Sequence, residues 1–170
     1  MKNLLCVILI LALSFTLAAC ASPKEDIKDP VSFYYRQLEM DYGNAPSAIA
    51  KEIRDAQSRR QDYSYLLSLY FKGPEEYSLY NPFPRSTTVK SFALQDGAVD
   101  LQLSSAFASL SGLDLSIACA CLTITVCEMT GAEQVTISAA DSLLDGNPKI
   151  TMSLKDLLLS DDSNIVIDPE

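Results

Sequence analysis

"LDLSIACACLTITVCEMT", residues 113–130, is the most apolar stretch in the body of the chain, and whether it is strand or helix decides the fold. Within it "LTITV" alternates as a strand does. Leu113, Ile117, Ala120, Ile124 and Cys127, however, fall on one helical face, and Ser116, Thr123 and Thr130 line another at a spacing of seven. Strands usually run about 3–10 residues. The length therefore selects a helix.

Working outward, "AEQVTISAAD" after the helix reads as a strand, and Asp145-Gly146-Asn147-Pro148 as a turn. The remainder, "KITMSLKDLLLSDDSNIVIDPE", gives a short strand and one helical turn before an acidic end. Before the helix, "VKSFALQDGAVDLQLS" reads as two strands joined at Asp96-Gly97, a dipeptide that tolerates the positive φ angles of a tight hairpin. "EEYSLYNPFPRSTT" is a loop, because Pro82 and Pro84 interrupt regular pairing. Between positions 62 and 72 the apolar residues Tyr63, Leu66, Leu67, Tyr70 and Phe71 recur at helical spacing. Asp62 is placed to cap that helix and Gly73-Pro74 to stop it. "VSFYYR" at 31–36 is a strand, and positions 48–55 either pair with it or form a short helix.

The first twenty residues differ from all of this. Lys2 precedes an apolar run that ends in Leu17-Ala18-Ala19-Cys20. A membrane span needs about 20 apolar residues, and this run is shorter and holds Ser14 and Thr16. It has the form of an export signal over residues 1–19. Its end resembles the lipobox of bacterial lipoproteins, in which the cysteine, here Cys20, receives a diacylglycerol and becomes the first mature residue. Residues 20–30, polar and containing Pro23 and Pro30, then serve as a tether. Two acyl chains suffice to hold a domain at a membrane surface, so the expected location is the outer face of the bacterial cytoplasmic membrane, anchored by lipid.

The chain of 170 residues carries a net charge of −9, which becomes −10 once Lys2 leaves with the signal. Such a surface repels nucleic acid. There is no histidine and no tryptophan, which removes Ser-His-Asp and Cys-His catalysis, imidazole metal sites and the strongest sugar-stacking side chain. Cys119, Cys121 and Cys127 sit in the apolar stretch and read as small buried hydrophobes. As a metal site their C-x-C-x5-C spacing lacks a fourth ligand. No metal and no cofactor is expected.

Carboxylates are the remaining candidates for chemistry. Asp96 and Asp145 have turn roles, Asp100 and Asp141 lie beside those turns, and Asp161 with Asp162 belongs to a solvated end. The run "DDSNIVIDPE" has acidic spacing but neither the glycine nor the twelfth-position glutamate of a calcium loop. Tyr63, Tyr65, Tyr70, Phe71, Tyr77, Tyr80 and Phe83 form an aromatic set that serves either as core and interface or as a face that binds glycan or peptide.

Taken in order, "LYFKGP", "NPFPRSTTV", "LQDGAVDLQLS", "TVCEMTGAEQV" and "TIS" resemble the GerMN domain of sporulation and spore-germination lipoproteins. The resemblance rests on Gly73-Pro74, Pro84, Asp96-Gly97, Thr125 with Glu128, and Gly131 with Val135, covering residues 31–142 and leaving 143–170 as a C-terminal extension. The loop departs from the family pattern with Phe-Pro-Arg-Ser-Thr, and the helix is unusually rich in cysteine. The resemblance implies an α/β (α+β) domain in which helices pack on one face of a small sheet, similar to the ring-building motif. It implies no catalysis. It also implies partners in a sporulation, germination or envelope complex, further copies of the chain included. The alternatives are a glycan- or peptide-binding lipoprotein using the aromatic residues between positions 63 and 83, and a carboxylate-dependent envelope hydrolase.

Overall fold

A computed structural model describes residues 27–37 and 48–157. The expected signal, Cys20, most of the tether and the Asp161-Asp162 pair lie outside the described residues. The mixed α/β class expected from the sequence is observed, with the strands shared between two sheets.

The first sheet is built on β1, Pro30–Gln37, whose period-two pattern buries Val31, Phe33 and Tyr35. β2, Ile49–Asp55, pairs with it antiparallel along its length, from Pro30 opposite Asp55 to Arg36 opposite Ile49. Strand, not helix, is thus the outcome for positions 48–55. On the other side of β1 lies β3, Leu79–Tyr80, which pairs only with Arg36 and Gln37. Two residues of strand inside a proline-containing loop leave no periodicity to read.

α1, Tyr63–Phe71, begins where the Asp62 carboxylate accepts the Tyr65 amide at 3.0 Å. It buries Leu66, Leu67, Tyr70 and Phe71. It ends at Gly73, whose φ of +97° suits glycine and where a Cβ would stand 3.0 Å from the Asn81 side chain.

The second sheet has the order β4-β5-β6-β7. β4, Val89–Gln95, and β5, Ala98–Leu103, form the hairpin, with positive φ at both Asp96 and Gly97 as a type I′ turn requires. β5 pairs in parallel with β6, Gln134–Ala139, and β7, Ile150–Ser153, closes the far side antiparallel. A 3₁₀ turn, Ser105–Ser109, and α2, Gly112–Thr130, make the crossover that parallel pairing demands.

α2 is long and apolar enough, by length and composition, to cross a membrane. Here it packs against β1 of one sheet and β6 and β7 of the other. Every residue from Ala118 to Cys127 is buried, which explains a sequence apolar on all sides. Leu113, placed by periodicity on the apolar face, is instead 71% exposed, because it lies in the first turn of the helix.

Candidate functional site

Most of the polar side chains that could carry chemistry are already engaged in holding the fold. The Asp145 carboxylate accepts the Gly112 amide at 2.7 Å, capping α2 from a distant turn. Asp96 and Asp145 adopt positive φ, in keeping with the turn roles read from sequence, and Asp141, expected only beside a turn, does so too. Asp100 is exposed on β5, and Asp161 and Asp162 lie outside the described residues. Cys119, Cys121 and Cys127 are free and buried. Burial pushes the Cys119 and Cys121 thiols up to about 12 and raises that of Cys127, so they are poor nucleophiles and poor ligands. Among the described residues no group of three or more Cys, Asp or Glu is placed to hold a metal ion.

Two bonded networks escape sequence reasoning altogether. In the first, Glu52 and Arg54, two apart on β2, both lie buried and pair at 2.6 Å. Arg54 also donates to the Gly73 carbonyl and lies over the Phe33 ring, while Glu52 accepts the Glu75 and Glu76 amides at 2.8 Å each. The pair thereby pins the turn after α1 to the first sheet. In the second, the open edge of β1 is satisfied by side chains. Tyr34 donates its amide to Thr125 Oγ1 at 2.9 Å, the Tyr70 hydroxyl donates to the Tyr34 carbonyl at 2.6 Å, and the Tyr35 hydroxyl donates to the Tyr70 carbonyl at 2.9 Å. Burial drives the Tyr70 phenol well above its ordinary value. Alternating charge on a strand reads as a wet face, and a tyrosine reads as core; neither pattern announces its partner.

The aromatic set divides accordingly. Tyr70, Phe71 and Phe83 are core, with ring centroids 5.0–5.6 Å apart. Tyr63 and Tyr65 are half-buried, whereas Tyr77 is 99% and Tyr80 56% exposed. Tyr80 leads into an open groove of about 670 Å³ between β3 with its following loop and the start of α2, lined by Pro82, Pro84, Leu110, Leu113 and Ile117. At its edge Arg36 and Asp114 form an exposed ion pair at 2.8 Å. A groove with exposed Tyr and Leu and a charged rim is the usual anatomy of a protein contact.

The model of the family Germane, "sporulation and spore germination", matches residues 32–145. The chain is a member of the Germane family. Among solved structures, the tandem GerMN domains of the sporulation protein GerM from Bacillus subtilis share the Germane chain's fold. The two are 18% identical with a TM-score of 0.50 over 66% of this chain and 39% of that one. The chain thus spans well under half of the GerM structure. A candidate lipoprotein from Clostridium perfringens also aligns, at 18% identity and a TM-score of 0.47 over 79% of this chain and 95% of that one. No curated protein matches. In this chain the groove is bordered by the proline loop, whose Pro84 is among the residues that carry the family resemblance, and by the start of α2.

Proposed function

We propose that this Germane protein is a non-catalytic docking module, tethered by acylated Cys20 to the outer face of the cytoplasmic membrane and joined to a sporulation, germination or envelope complex. The observation that carries the reading is the exposed groove with Tyr80 at 56% and Leu113 at 71% exposure, set in a domain whose buried charged pair, Glu52 and Arg54, is bonded to itself and to the backbone. The leader and lipobox support the anchor, and the family match supports the sporulation context. The test has two arms. Cys20→Ser moves the protein from the membrane fraction to the soluble one, and the wild-type protein captures a partner from sporulating cells that is missing from growing cells. Retention of the serine variant at the membrane refutes the anchor, and equal capture from both cultures refutes the sporulation role.

A second reading is favoured by Tyr77, which is 99% exposed and near Tyr80 in sequence. Such tyrosines suit a glycan ligand. Retention on purified peptidoglycan that disappears in a Tyr77→Ala, Tyr80→Ala variant would select this reading over the first.

A further inference from the structure

Among the described residues the two sheets leave four strand edges, at β2, β3, β4 and β7. β2 carries Lys51, Glu52, Arg54 and Asp55, β3 is two residues long and β7 four. Charge and shortness both discourage pairing with another chain. β4 has neither protection along most of its length. Five of its seven residues are exposed, and Ser91 to Gln95 runs regularly against β5 with no proline and no charge. Its one charge is Lys90, at the register irregularity between Val89 and Ser91. The two-residue turn makes Gln95 and Ala98 a hydrogen-bonded pair, so alternation turns the backbone groups of Phe92 and Leu94 away from β5. Opposite these two on β5 stand Leu101 and Val99, both buried, whereas Phe92 is half-buried and Leu94 39% exposed. The apolar face of the sheet is left uncovered where it reaches this edge. Lys90 and Asp96, which flank the uncharged run, are both exposed and form no ion pair among the described residues.

We infer that β4 is a self-association edge, and that its occupant is β4 of a second copy, added antiparallel about a two-fold axis at Ala93 so that the two four-stranded sheets become continuous. The edge is complementary to itself in this register and in no other. An axis between two residues would set outward-facing backbone groups against inward-facing ones, so the axis passes through a residue. Placed at Phe92, it sets Lys90 opposite Leu94 of the second copy, and placed at Leu94, it sets Asp96 opposite Phe92. Placed at Ala93, it sets Phe92 opposite Leu94 and Lys90 opposite Asp96, each pair occurring twice by symmetry. Apolar and opposite-charge pairs across strands both stabilise a sheet. The free N–H and C=O groups of Phe92 and Leu94 then bond to one another, with Ala93 facing its own copy as the close, non-hydrogen-bonded pair between them. Leu94 and Phe92 of each copy cover the apolar face that the other leaves open at its edge. Asp100, beside Ala93 on β5, stands three strand spacings, about 14 Å, from its own copy, beyond a Debye length of about 8 Å. No residue of β4 lines the groove of Tyr80 and Leu113, so the pairing leaves that surface free.

Disulfide trapping of the full-length chain in the cells that express it, with copper-phenanthroline as oxidant, tests the assignment. The Cα atoms of a non-hydrogen-bonded antiparallel pair stand about 4.5 Å apart, within the span of a disulfide. Ala93→Cys, at an exposed position where substitution leaves folding intact, is expected to give a disulfide-linked dimer on a non-reducing gel. Ser91→Cys, whose two copies lie about 14 Å apart in this register, stays monomeric. Lys90→Asp added to Ala93→Cys sets like charges opposite each other and lowers the dimer yield by about tenfold. Co-expression of that chain with one carrying Asp96→Lys and Ala93→Cys restores the yield, as a disulfide between the two different chains. Failure of Ala93→Cys to dimerise overturns the proposal: a thiol that still takes a maleimide shows the edge open, and a shielded one shows it covered by something else. Equal dimer yields from Ser91→Cys and Ala93→Cys overturn it too, since they mark random collision.

Discussion

At the scale of single residues, Arg54 separates what is buried from what is bonded. Its guanidinium serves Glu52 and the Gly73 carbonyl at once, at 7% exposure. Arg54→Ala leaves the Glu52 carboxylate buried without its cation and destabilises the chain by about 3–5 kcal/mol in urea denaturation. Arg54→Lys recovers only part of this, because an ammonium cannot span both acceptors. Arg36→Ala, which breaks the exposed pair with Asp114, costs under ~1 kcal/mol. An equal loss in both variants would show that burial of the first pair has no energetic weight. The thiols make a second residue-scale case. Cys119 and Cys121 titrate near 12 in the folded chain and near 9 when exposed, so folded protein holds protons that unfolded protein releases. Their contribution to stability is whole below pH 9 and declines as pH rises from 9 toward 12, by up to about 1.4 kcal/mol per pH unit for each thiol. Denaturation midpoints should fall between pH 9 and 10, and more shallowly in a Cys119→Ala, Cys121→Ala variant. Identical slopes would mean that the thiols ionise alike in both states.

At the scale of elements, helix ends depend on backbone positions that only glycine occupies without strain. Gly131 closes α2 at φ +76° with its amide on the Cys127 carbonyl, and open space surrounds its missing Cβ. Gly131→Ala therefore costs only the left-handed conformation, about 1 kcal/mol. Gly73 combines a φ of +97° with a contact of 3.0 Å to Asn81, and its carbonyl receives Arg54. Gly73→Ala should lower the melting temperature more than Gly131→Ala; the reverse order would remove the steric argument. The stop at Gly73 is legible in the sequence, as are the Asp62 cap, the Asp96-Gly97 hairpin and the helical reading of residues 113–130, because each rests on local spacing, whereas the cap at Gly131 is seen only in the structure. What was not legible rests on distant partners. β3 exists only because Arg36 and Gln37 lie beside it. The all-round burial of α2 requires two sheets, and Leu113 is exposed because the sheets do not reach the first turn of the helix. The groove joins a loop at positions 80–84 to a helix start thirty residues later, and no periodicity records that meeting.

At the scale of the molecule, α2 ties the two sheets together, since it contacts β1 on one side and β6 and β7 on the other. This bond between the halves also fixes the groove proposed for docking, whose walls come from the first sheet's loop and from α2 itself. A contact surface held this way is preorganised, so loss of its side chains should appear in binding and not in folding. Tyr80 and Leu113 make that separation measurable, being 56% and 71% exposed, with little core to lose. A Tyr80→Ala, Leu113→Ala variant is expected to melt within about 2 °C of the wild type, because exposed substitutions stay near ±0.5 kcal/mol. Its capture of the sporulation-stage partner should fall by at least about tenfold, the loss of two anchor side chains from a desolvated contact. Tyr77→Ala, fully exposed and outside the groove lining, provides the comparison and should leave capture unchanged. If Tyr77→Ala abolishes capture while the groove variant retains it, docking runs through the surface around Tyr77, and the role given to the start of α2 falls with it.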